Sequence, residues 1–227
     1  MEELILSDRT LNILKNFAMI NQSLMFKAGD TIATISQGKK IYAKARIDNE
    51  IKKSFAIYEL PRLFGSLSLV PNYKINIDDN SLVITSDKET RAIRYGFADP
   101  DAILSPPDKG IKLDKVDVSF TLTSKMLSSA MKAASVLGMP EIAVVGDGET
   151  VSLETCNSAK PSGDVYRERI EEFQGGEKPF RMIFKVENLK VLPDDYLVKI
   201  SFKKVAQLIG NDVEYFIVVE NASTVGK

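Results

Sequence analysis

Apolar residues recur at helical spacing in four stretches of the chain. The first stretch follows Ser7 and Asp8, which are suited to cap a helix. Its apolar side carries Leu11, Leu14, Phe17 and Ala18, and its polar side carries Arg9, Asn12, Lys15 and Asn16. The other stretches span residues 59–69, 123–137 and 186–192. The spacing therefore predicts four helices, two in each half of the chain.

Short runs of β-prone residues, bounded by turn residues, fill most of the remaining sequence. In the first half they span residues 23–26, 31–35, 40–47, 51–57, 73–77, 81–85 and 91–97. In the second half they span residues 116–122, 142–145, 150–155, 165–171, 180–185, 196–202, 206–209 and 214–220. Such short strands and tight turns predict an α+β fold with antiparallel sheets, in which the first four strands form a meander.

A proline-rich stretch separates the two halves. Residues 99–111 contain three prolines and one glycine, which suit an extended connector better than a helix or a central strand. We therefore predict a first domain at residues 1–98, a connector at residues 99–112 and a second domain at residues 113–227.

The two halves also echo each other in sequence. Residues 69–75, Leu-Val-Pro-Asn-Tyr-Lys-Ile, have a counterpart in residues 191–200, Val-Leu-Pro-Asp-Asp-Tyr-Leu-Val-Lys-Ile. Pro71 and Pro193 are separated by about half of the chain. The echo predicts two copies of one unit, each with antiparallel sheets and two helices. Leu-Pro-x-Tyr turns are common, so chance is the alternative explanation.

The balance of charged residues argues against a protein that binds DNA tightly by itself. The chain has 30 Lys and Arg against 31 Asp and Glu, so no overall basicity draws it onto nucleic acid. Its hydrophobic content of 44% is typical of a folded protein. No apolar stretch approaches the roughly 20 residues of a membrane helix, and the acidic start does not resemble a signal peptide. We therefore expect a cytosolic protein without a membrane partner.

The inventory of nucleophiles and metal ligands excludes several kinds of chemistry. The chain has no histidine, and Cys156 is its one cysteine. Serine–histidine and thiol–histidine catalysis and the common zinc sites are therefore excluded, and Cys156 is interpreted as a small strand residue in a reducing compartment. The sequence also lacks a Gly-x-x-x-x-Gly-Lys-Ser/Thr loop for nucleotide binding, and we expect neither a cofactor nor a metal.

Two other function classes stay open as alternatives. A metal-dependent enzyme would have to use paired carboxylates, but acidic residues in turns more often cap the local backbone. The candidate pairs are Asp78 with Asp79, Asp99 with Asp101, and Asp194 with Asp195. A protein that binds single-stranded nucleic acid would need exposed aromatic residues, and this chain has no Trp and 8% aromatic residues.

Basic residues recur on the outward sides of all four predicted helices, flanked mainly by Ser, Asn or Thr. They are Arg9, Lys15, Arg62, Lys125, Lys132 and Lys190. Acidic residues gather elsewhere, as at Asp78 with Asp79 and at Glu171 with Glu172. A single lysine of this kind fits an ordinary solvated helix face. The recurrence on four helices indicates a function that these faces share.

Several short segments carry a resemblance to a known family. They are Leu-Lys-Asn-Phe-Ala at residues 14–18 with Ile20-Asn21, Ala-Ile-Tyr at 56–58, Leu-Ser-Leu-Val at 67–70, and Ala-Asp-Pro at 98–100. In these segments the chain resembles the bacteriophage T4-type DNA sliding clamps, which raise the processivity of DNA polymerases. The resemblance runs in order through nearly the whole chain and is clearest in its first hundred residues. It implies a two-domain subunit without enzymatic activity, three of which close into a homotrimeric ring of six domains.

The resemblance further implies what such a ring does and with which partners. The ring would encircle duplex DNA without sequence preference, retained by topology, and tether the replicative DNA polymerase. An ATP-driven clamp loader would open it, and late-transcription factors are further partners that the family suggests. The protein would act in the cytoplasm of the bacterial host.

The resemblance also assigns candidate site residues. The six basic residues would face the DNA, with the register of the first helix left open, because Asp8 stands where the family is expected to carry a lysine. Edge strands would join neighbouring subunits through Arg91, Ile93 and Tyr95 of the first domain and Val165, Arg167 and Arg169 of the second. Partner peptides would bind an apolar pocket at Ile103, Leu104, Ile111 and Tyr215, although these four also fit plain core or linker positions.

Overall fold

The computed structural model describes residues 2–88, 90–160 and 163–226. The chain divides into two compact units, Met1–Asp108 and Lys109–Lys227. Each unit combines antiparallel strands with a long α-helix near its start. This agrees with the α+β class that the alternation of helical and strand-like patterns predicts.

The first unit contains two α-helices and eight strands within its described residues. In chain order they are β1 Glu2–Leu4, α1 Asp8–Ile20, β2 Leu24–Phe26, β3 Gly29–Ile35, β4 Ile41–Ile51, β5 Phe55–Ile57, α2 Leu60–Ser68, β6 Tyr73–Ile77, β7 Ser81–Ser86 and β8 Ala92–Gly96. A short 3-10 helix, Pro100–Ala102, lies in the stretch that the sequence predicts to be an extended connector. Strand β1 has no counterpart among the predicted strands.

The second unit contains one α-helix and ten strands within its described residues. They are β9 Val118–Leu122, α3 Ser124–Val136, β10 Glu141–Gly146, β11 Val151–Cys156, β12 Arg167–Ile170, β13 Phe173–Gly175, β14 Phe180–Lys185, β15 Tyr196–Ser201, β16 Val205–Ile209, β17 Val213–Val218 and β18 Thr224–Val225. Strands β13 and β18 were not predicted. Cys156 ends β11 and is half-buried, and burial raises the pKa of its thiol.

The same strand order occurs in a sheet of each unit. In the first unit the order is β1-β6-β7-β8, and in the second β9-β15-β16-β17. In both, the strand before the first helix pairs antiparallel with the strand that begins shortly after Pro71 or Pro193. The echo in sequence around these two prolines therefore marks equivalent positions in two units of similar topology.

The first four predicted strands do not form a meander, and that prediction is wrong. Strand β3 pairs with β4 as a hairpin, and β2 pairs with β5, so that the second pair encloses the first in sequence. The rings of Phe26 and Phe55 stack across the β2–β5 pair with centroids 4.7 Å apart. This aromatic contact joins strands that are distant in sequence, which alternation alone cannot indicate.

The predicted helix at residues 186–192 does not form. A 3-10 helix spans only Val186–Asn188, and the described residues after it up to β15 contain no helix. Its N-cap residue, Lys185, makes no side-chain capping hydrogen bond, and Leu189 at its end leaves the helical region with φ −87° and ψ 46°. A seven-residue stretch ahead of a proline is too short to offset the cost of helix nucleation without such support.

Helix α1 packs its apolar side inward at the predicted spacing, with one correction. Ser7 caps the helix, because its Oγ accepts a hydrogen bond of 3.1 Å from the Thr10 N–H. Ile13 and Phe17 are fully buried, and Asn16 is only 1% exposed, although it was predicted to lie on the polar side. Residues three and four apart share a helix face, so position 16 must lie with 13 and 17 whatever its polarity.

Helix α3 lies close to its sheet through small residues. Its buried residues are Ala130 and Ala134, while Met126, Leu127 and Met131 of the predicted apolar side are half-buried. Thr123 caps the helix, because its Oγ1 accepts a hydrogen bond of 3.2 Å from the Met126 N–H. Alanine at the contact lets the helix backbone approach the strands closely.

We expect that Thr123→Ala lowers the free energy of unfolding by about 1 kcal/mol, because it leaves the Met126 N–H without its capping acceptor. Urea unfolding at one fixed protein concentration, followed by circular dichroism, measures the loss. Ser128→Ala on the exposed side of the same helix is the matched control, with an expected change within about 0.5 kcal/mol. Equal losses in the two variants would contradict a capping role for Thr123.

Candidate functional site

The outward face of α1 carries one basic residue. Asp8, Asn12, Lys15 and Met19 are exposed at steps of four, three and four residues, and they therefore form one stripe. Among the described residues, Lys15 makes no ion pair. Its ammonium group is consequently available to an anion approaching this face.

Arg9 does not lie on the Lys15 stripe. Its Nη1 is 2.7 Å from Asp48 Oδ1 in β4, and its Nη2 donates a hydrogen bond of 3.1 Å to the Arg46 carbonyl. Position 9 is one residue off the exposed stripe, so its side chain turns toward the sheet. The structure therefore corrects the predicted outward direction of Arg9 and leaves Lys15 as the basic residue of that stripe.

Asp48 is a residue of this region that sequence reasoning missed. The Ser7 hydroxyl donates a hydrogen bond to Asp48 Oδ2 while its oxygen caps α1, so one serine links the helix start to β4. This hydrogen bond, together with the nearby Arg9 guanidinium, holds the pKa of Asp48 below its usual value. Asp48 is 38 or more residues away from its partners in sequence, and no local signal marks it.

Helices α2 and α3 present further basic residues on exposed stripes. On α2 the exposed stripe contains Arg62, Gly65 and Ser68. On α3 it contains Lys125, Ser128, Lys132 and Ser135. Neither Lys125 nor Lys132 makes an ion pair within the part of the chain that the structure describes. Small polar neighbours leave these cations sterically open.

Lys190 is exposed but lies on a non-helical segment rather than on the predicted helix. Leu189, its neighbour, lines a small apolar cavity together with Leu127 and Ala130 of α3. The segment therefore packs alongside α3. Lys190 follows directly and is solvent-exposed, so its backbone lies beside this helix even though the helix predicted to carry it is absent.

Two of the sheet edges belong to the strands predicted for the subunit interface, and they carry unpaired backbone groups. Strand β8 ends the order β1-β6-β7-β8, and β12 ends the order β12-β11-β10-β14-β18. Each has a partner strand on one side only among the described residues. The predicted interface strands are therefore edge strands, which is the geometric requirement for continuing a sheet with another chain.

The hydrogen-bond pattern identifies which residues face each open edge. Ser86 N–H donates to the Arg91 carbonyl and Phe97 N–H donates to the Asn80 carbonyl, so odd-numbered residues of this strand turn their backbone groups toward β7. Ala92, Arg94 and Gly96 therefore point theirs outward. Of the predicted interface residues, Arg91, Ile93 and Tyr95 use their backbone groups inside the sheet. The Tyr95 hydroxyl also donates to the Glu59 carbonyl at 2.9 Å, which ties this edge to the start of α2.

On β12 the even-numbered residues turn their backbone groups toward the neighbouring strand, and the odd-numbered residues face the open edge. Thr155 N–H donates to the Tyr166 carbonyl at 3.0 Å, so the backbone groups of Arg167 and Arg169 point away from β11. Val165 has the same parity but precedes the strand. Glu154, with a side chain 5% exposed, contacts both Arg167 at 2.5 Å and Arg181 at 2.7 Å. This buried carboxylate anchors the arginine of the edge strand.

The residues predicted for the peptide pocket fall into two groups. Ile103, Leu104 and Ile111 are half-buried, and the Leu104 carbonyl accepts a hydrogen bond of 3.1 Å from Asn21 Nδ2 at the end of α1. Tyr215 is 0% exposed, and its ring packs edge-on against Tyr196 with centroids 6.0 Å apart. Tyr215 therefore offers no surface to a peptide, because its apolar ring fills the core of the second unit.

Five of the six paired carboxylates have a nearby partner among the described residues. Asp78 contacts Arg94, Asp79 contacts Lys53, Asp99 accepts from the Asp101 N–H, Asp194 accepts from Asn211, and Asp195 accepts from the Ser124 N–H. Among the described residues, no three His, Cys, Asp or Glu side chains gather closely enough to hold a metal ion.

Across the described parts of the chain, no helix combines the length and apolarity that crossing a membrane requires.

Family comparisons cover both units. Residues 7–105 match the family model described as DNA polymerase processivity factor, and residues 119–221 match that described as gp45 sliding clamp, C terminal. The chain is 28% identical to the sliding clamp of Vibrio phage KVP40 over 219 residues, which are 95% of this chain and 98% of the relative. It is 28% identical to the sliding clamp of Enterobacteria phage T4 over 228 residues, 96% of this chain and 98% of the relative.

Solved structures share the fold at lower sequence identity. The PCNA of A. fulgidus, solved with the C-terminal region of FEN-1, matches with a TM-score of 0.72 and 16% identity, over 97% of this chain and 98% of that chain. The PCNA of Thermococcus kodakaraensis matches with a TM-score of 0.70 and 12% identity, over 96% and 99%. The Helicobacter pylori beta clamp, bound to a DNA ligase peptide, matches with a TM-score of 0.65 and 14% identity, over 92% of this chain and 63% of that chain.

Proposed function

The chain belongs to the T4-type phage sliding clamps, the processivity factors of DNA polymerases, and from this we propose that three copies close head to tail into a ring around duplex DNA. The observation that carries the proposal is the pair of open edges, β8 in one unit and β12 in the other. A head-to-tail contact uses two different surfaces of each subunit, and it closes into a ring when the rotation between neighbours permits.

At each contact, β8 of one subunit would pair with β12 of the next and continue the sheet. The outward backbone groups of Ala92, Arg94 and Gly96 would then meet those of Arg167 and Arg169. The side chains of Arg94 and Arg167 are held by Asp78 and Glu154 of their own subunit. This pairing of each arginine within its own chain limits repulsion between two basic edges.

The exposed basic stripes would line the hole. Candidates for phosphate contacts are Lys15, Arg62, Lys125, Lys132 and Lys190, all exposed. With few basic residues per subunit, the contacts with DNA phosphates are weak, and salt screens them easily. A closed ring is retained by topology, so weak contacts suffice, and they let the ring move along any sequence. The near-neutral charge of the chain is consistent with this mode of retention.

The partners follow from the same proposal. The replicative DNA polymerase would bind the ring, and an ATP-driven loader would open it around DNA, with late-transcription factors as further partners in the host cytoplasm. The half-buried apolar residues Ile103, Leu104 and Ile111 of the connector are our candidates for the peptide contact, now without Tyr215. Connectors are exposed and adaptable, which suits the binding of short segments from several proteins.

A single-stranded nucleic-acid-binding function has less support. Such proteins stack bases on several exposed aromatic rings. Among the described residues, Tyr58 is the aromatic with a large exposed fraction, 60%. One such ring is too few for a stacking platform.

Retention on DNA tests the function directly. After loading, the protein should stay on closed circular duplex and leave linear duplex through its free ends, because only topology holds it. The measurement is the fraction of labelled protein that co-elutes with each DNA from a sizing column at moderate salt. Equal retention on circular and linear duplex would refute the clamp.

We expect that Arg94→Pro abolishes trimer formation while the subunit stays folded, because proline removes an outward-facing N–H from β8 without breaking the β7 ladder. Light scattering gives the solution mass, and circular dichroism checks the fold. Arg94→Ala is the matched control, since it removes the contact with Asp78 but keeps the backbone donor. A trimer in the proline variant would exclude β8 as the interface strand.

We expect that the combined variant Lys15→Ala, Lys125→Ala, Lys132→Ala binds short linear duplex more weakly, with a shallower salt dependence. The slope of log affinity against log salt should fall by about 0.9 for each phosphate that is no longer neutralised. Fluorescence anisotropy across a salt series measures both quantities. The charge-matched control removes exposed loop lysines Lys88, Lys160 and Lys178. If the control lowers the slope as much, the helix stripes do not contact DNA.

A further inference from the structure

We propose that Tyr196, Tyr215 and Asp195 are positioning residues, which hold residues 189–195 in one non-helical conformation and thereby present Lys190 to DNA beside α3. The proposal rests on the proposed function for the identity of the ligand, the phosphates of duplex DNA. It assigns a role to the segment that occupies the place of the missing second helix of this unit.

The two tyrosines hydrogen-bond to the backbone of one residue of the segment, Leu192. We call these two hydrogen bonds the clasp. The Leu192 N–H donates a hydrogen bond of 3.1 Å to the Tyr215 hydroxyl oxygen, and the Tyr196 hydroxyl donates to the Leu192 carbonyl. Both rings are buried, at 0% and 1% exposed. Burial raises the pKa of both hydroxyls, so both stay protonated at neutral pH. Leu192 therefore has both backbone groups satisfied without a helix.

The acidic pair that follows Leu192 extends the clasp on two sides. Asp194 accepts hydrogen bonds from the Asn211 backbone N–H at 2.6 Å and from Asn211 Nδ2 at 2.8 Å. Asp195 Oδ1 accepts from the Ser124 N–H in the first turn of α3 at 2.7 Å. The Asp195 carboxylate is favourable at this helix start, where backbone N–H groups lack partners.

Gly210 makes it possible for Asp194 and the Tyr196 ring to lie close to the backbone of the loop before β17. A Cβ atom placed on Gly210 would lie 2.7 Å from Asp194 Oδ2 and 2.7 Å from Tyr196 Cε1. Any other residue at position 210 would push the segment or the ring away. The clasp, the loop before β17 and the start of α3 therefore form one connected structure.

The segment is also packed against α3 ahead of the clasp. Leu189 shares an apolar cavity wall with Leu127 and Ala130 of that helix. Lys190 lies between this apolar contact and the clasp at Leu192, so its backbone is restrained from both sides. Its side chain is exposed. Ser124, which Asp195 contacts, directly precedes Lys125, so the segment is joined to the basic stripe of α3.

Restraint of the backbone determines how well such a lysine binds. A lysine on a mobile loop loses backbone freedom when it contacts a phosphate, which weakens the contact. In the first unit, α2 provides the restraint for Arg62 through its helical backbone. In the second unit, hydrogen bonds from two tyrosines and one aspartate provide it for Lys190.

A double-mutant cycle between Lys190→Ala and Tyr215→Phe tests the inference. Phenylalanine keeps the buried ring but removes the acceptor of the Leu192 N–H. Affinity of the full-length trimer for a short linear duplex at low salt is the readout. We expect that Lys190→Ala lowers the affinity several-fold in the wild-type background and changes it little in the Tyr215→Phe background. Tyr196→Phe, which removes the donor to the Leu192 carbonyl, should behave in the same way and serves if Tyr215→Phe does not fold.

Lys132→Ala is the matched control, because Lys132 lies on α3 and does not depend on the clasp. Its effect on affinity should be equal in both backgrounds. The positioning role is wrong if Lys190→Ala lowers the affinity as much in the tyrosine variants as in the wild type. It is also wrong if Lys190→Ala leaves the affinity of the wild type unchanged while Lys132→Ala lowers it. If neither lysine affects binding in the wild type, the proposed DNA-facing surface itself fails.

Hydrogen exchange of the free protein gives a second readout that needs no DNA. The Leu192 amide should exchange faster in Tyr215→Phe than in the wild type, while amides in the middle of α3 keep their protection. Unchanged exchange at Leu192 would overturn the clasp. General acceleration across the unit would show a purely structural effect of Tyr215, which also overturns it.

Discussion

Backbone hydrogen bonding at the sheet edges is the constraint on which the rest of this structure depends. Every strand must pair its N–H and C=O groups, and an edge strand pairs only half of them. In this chain β8 of the first unit and β12 of the second are two of the strands that end a sheet. An assembly that pairs β8 of one subunit with β12 of the next would satisfy the unpaired groups of both strands.

The distribution of charge is the second general feature of the molecule. The formal charges nearly cancel over the whole chain, yet lysines stand without ion pairs on the outward stripes of α1 and α3 in the described residues. Basic residues elsewhere, including Arg9, Arg94 and Arg167, are held by carboxylates of the same chain. These three arginines therefore contribute to contacts within the fold, whereas the lysines of the two stripes are open to an external anion.

Sequence reasoning succeeded where local pattern and backbone coincide. Short-range rules predict the cap at Ser7, the helices α1, α2 and α3, and the strands that begin at Tyr73 and Tyr196. It failed at Asn16, where polarity suggested exposure and helical geometry required burial. It failed again at residues 186–192, where a helical pattern was present but too short to form a helix against competing tertiary hydrogen bonds.

The sequence by itself determined the class of fold and the position of most elements, because these depend on periodicity and on turn residues that act over a few positions. It indicated a duplicated unit, which the strand order of the two sheets supports. Only the tertiary structure decided which way Arg9 points, that buried Tyr215 accepts a hydrogen bond from the Leu192 N–H, and which residues of β8 and β12 face outward. Each of these depends on contacts between residues far apart in the chain or on the parity of a hydrogen-bond ladder. Long-range contacts and the alternation of a hydrogen-bond ladder leave no local signal in the sequence, because they arise only when distant segments of the folded chain meet.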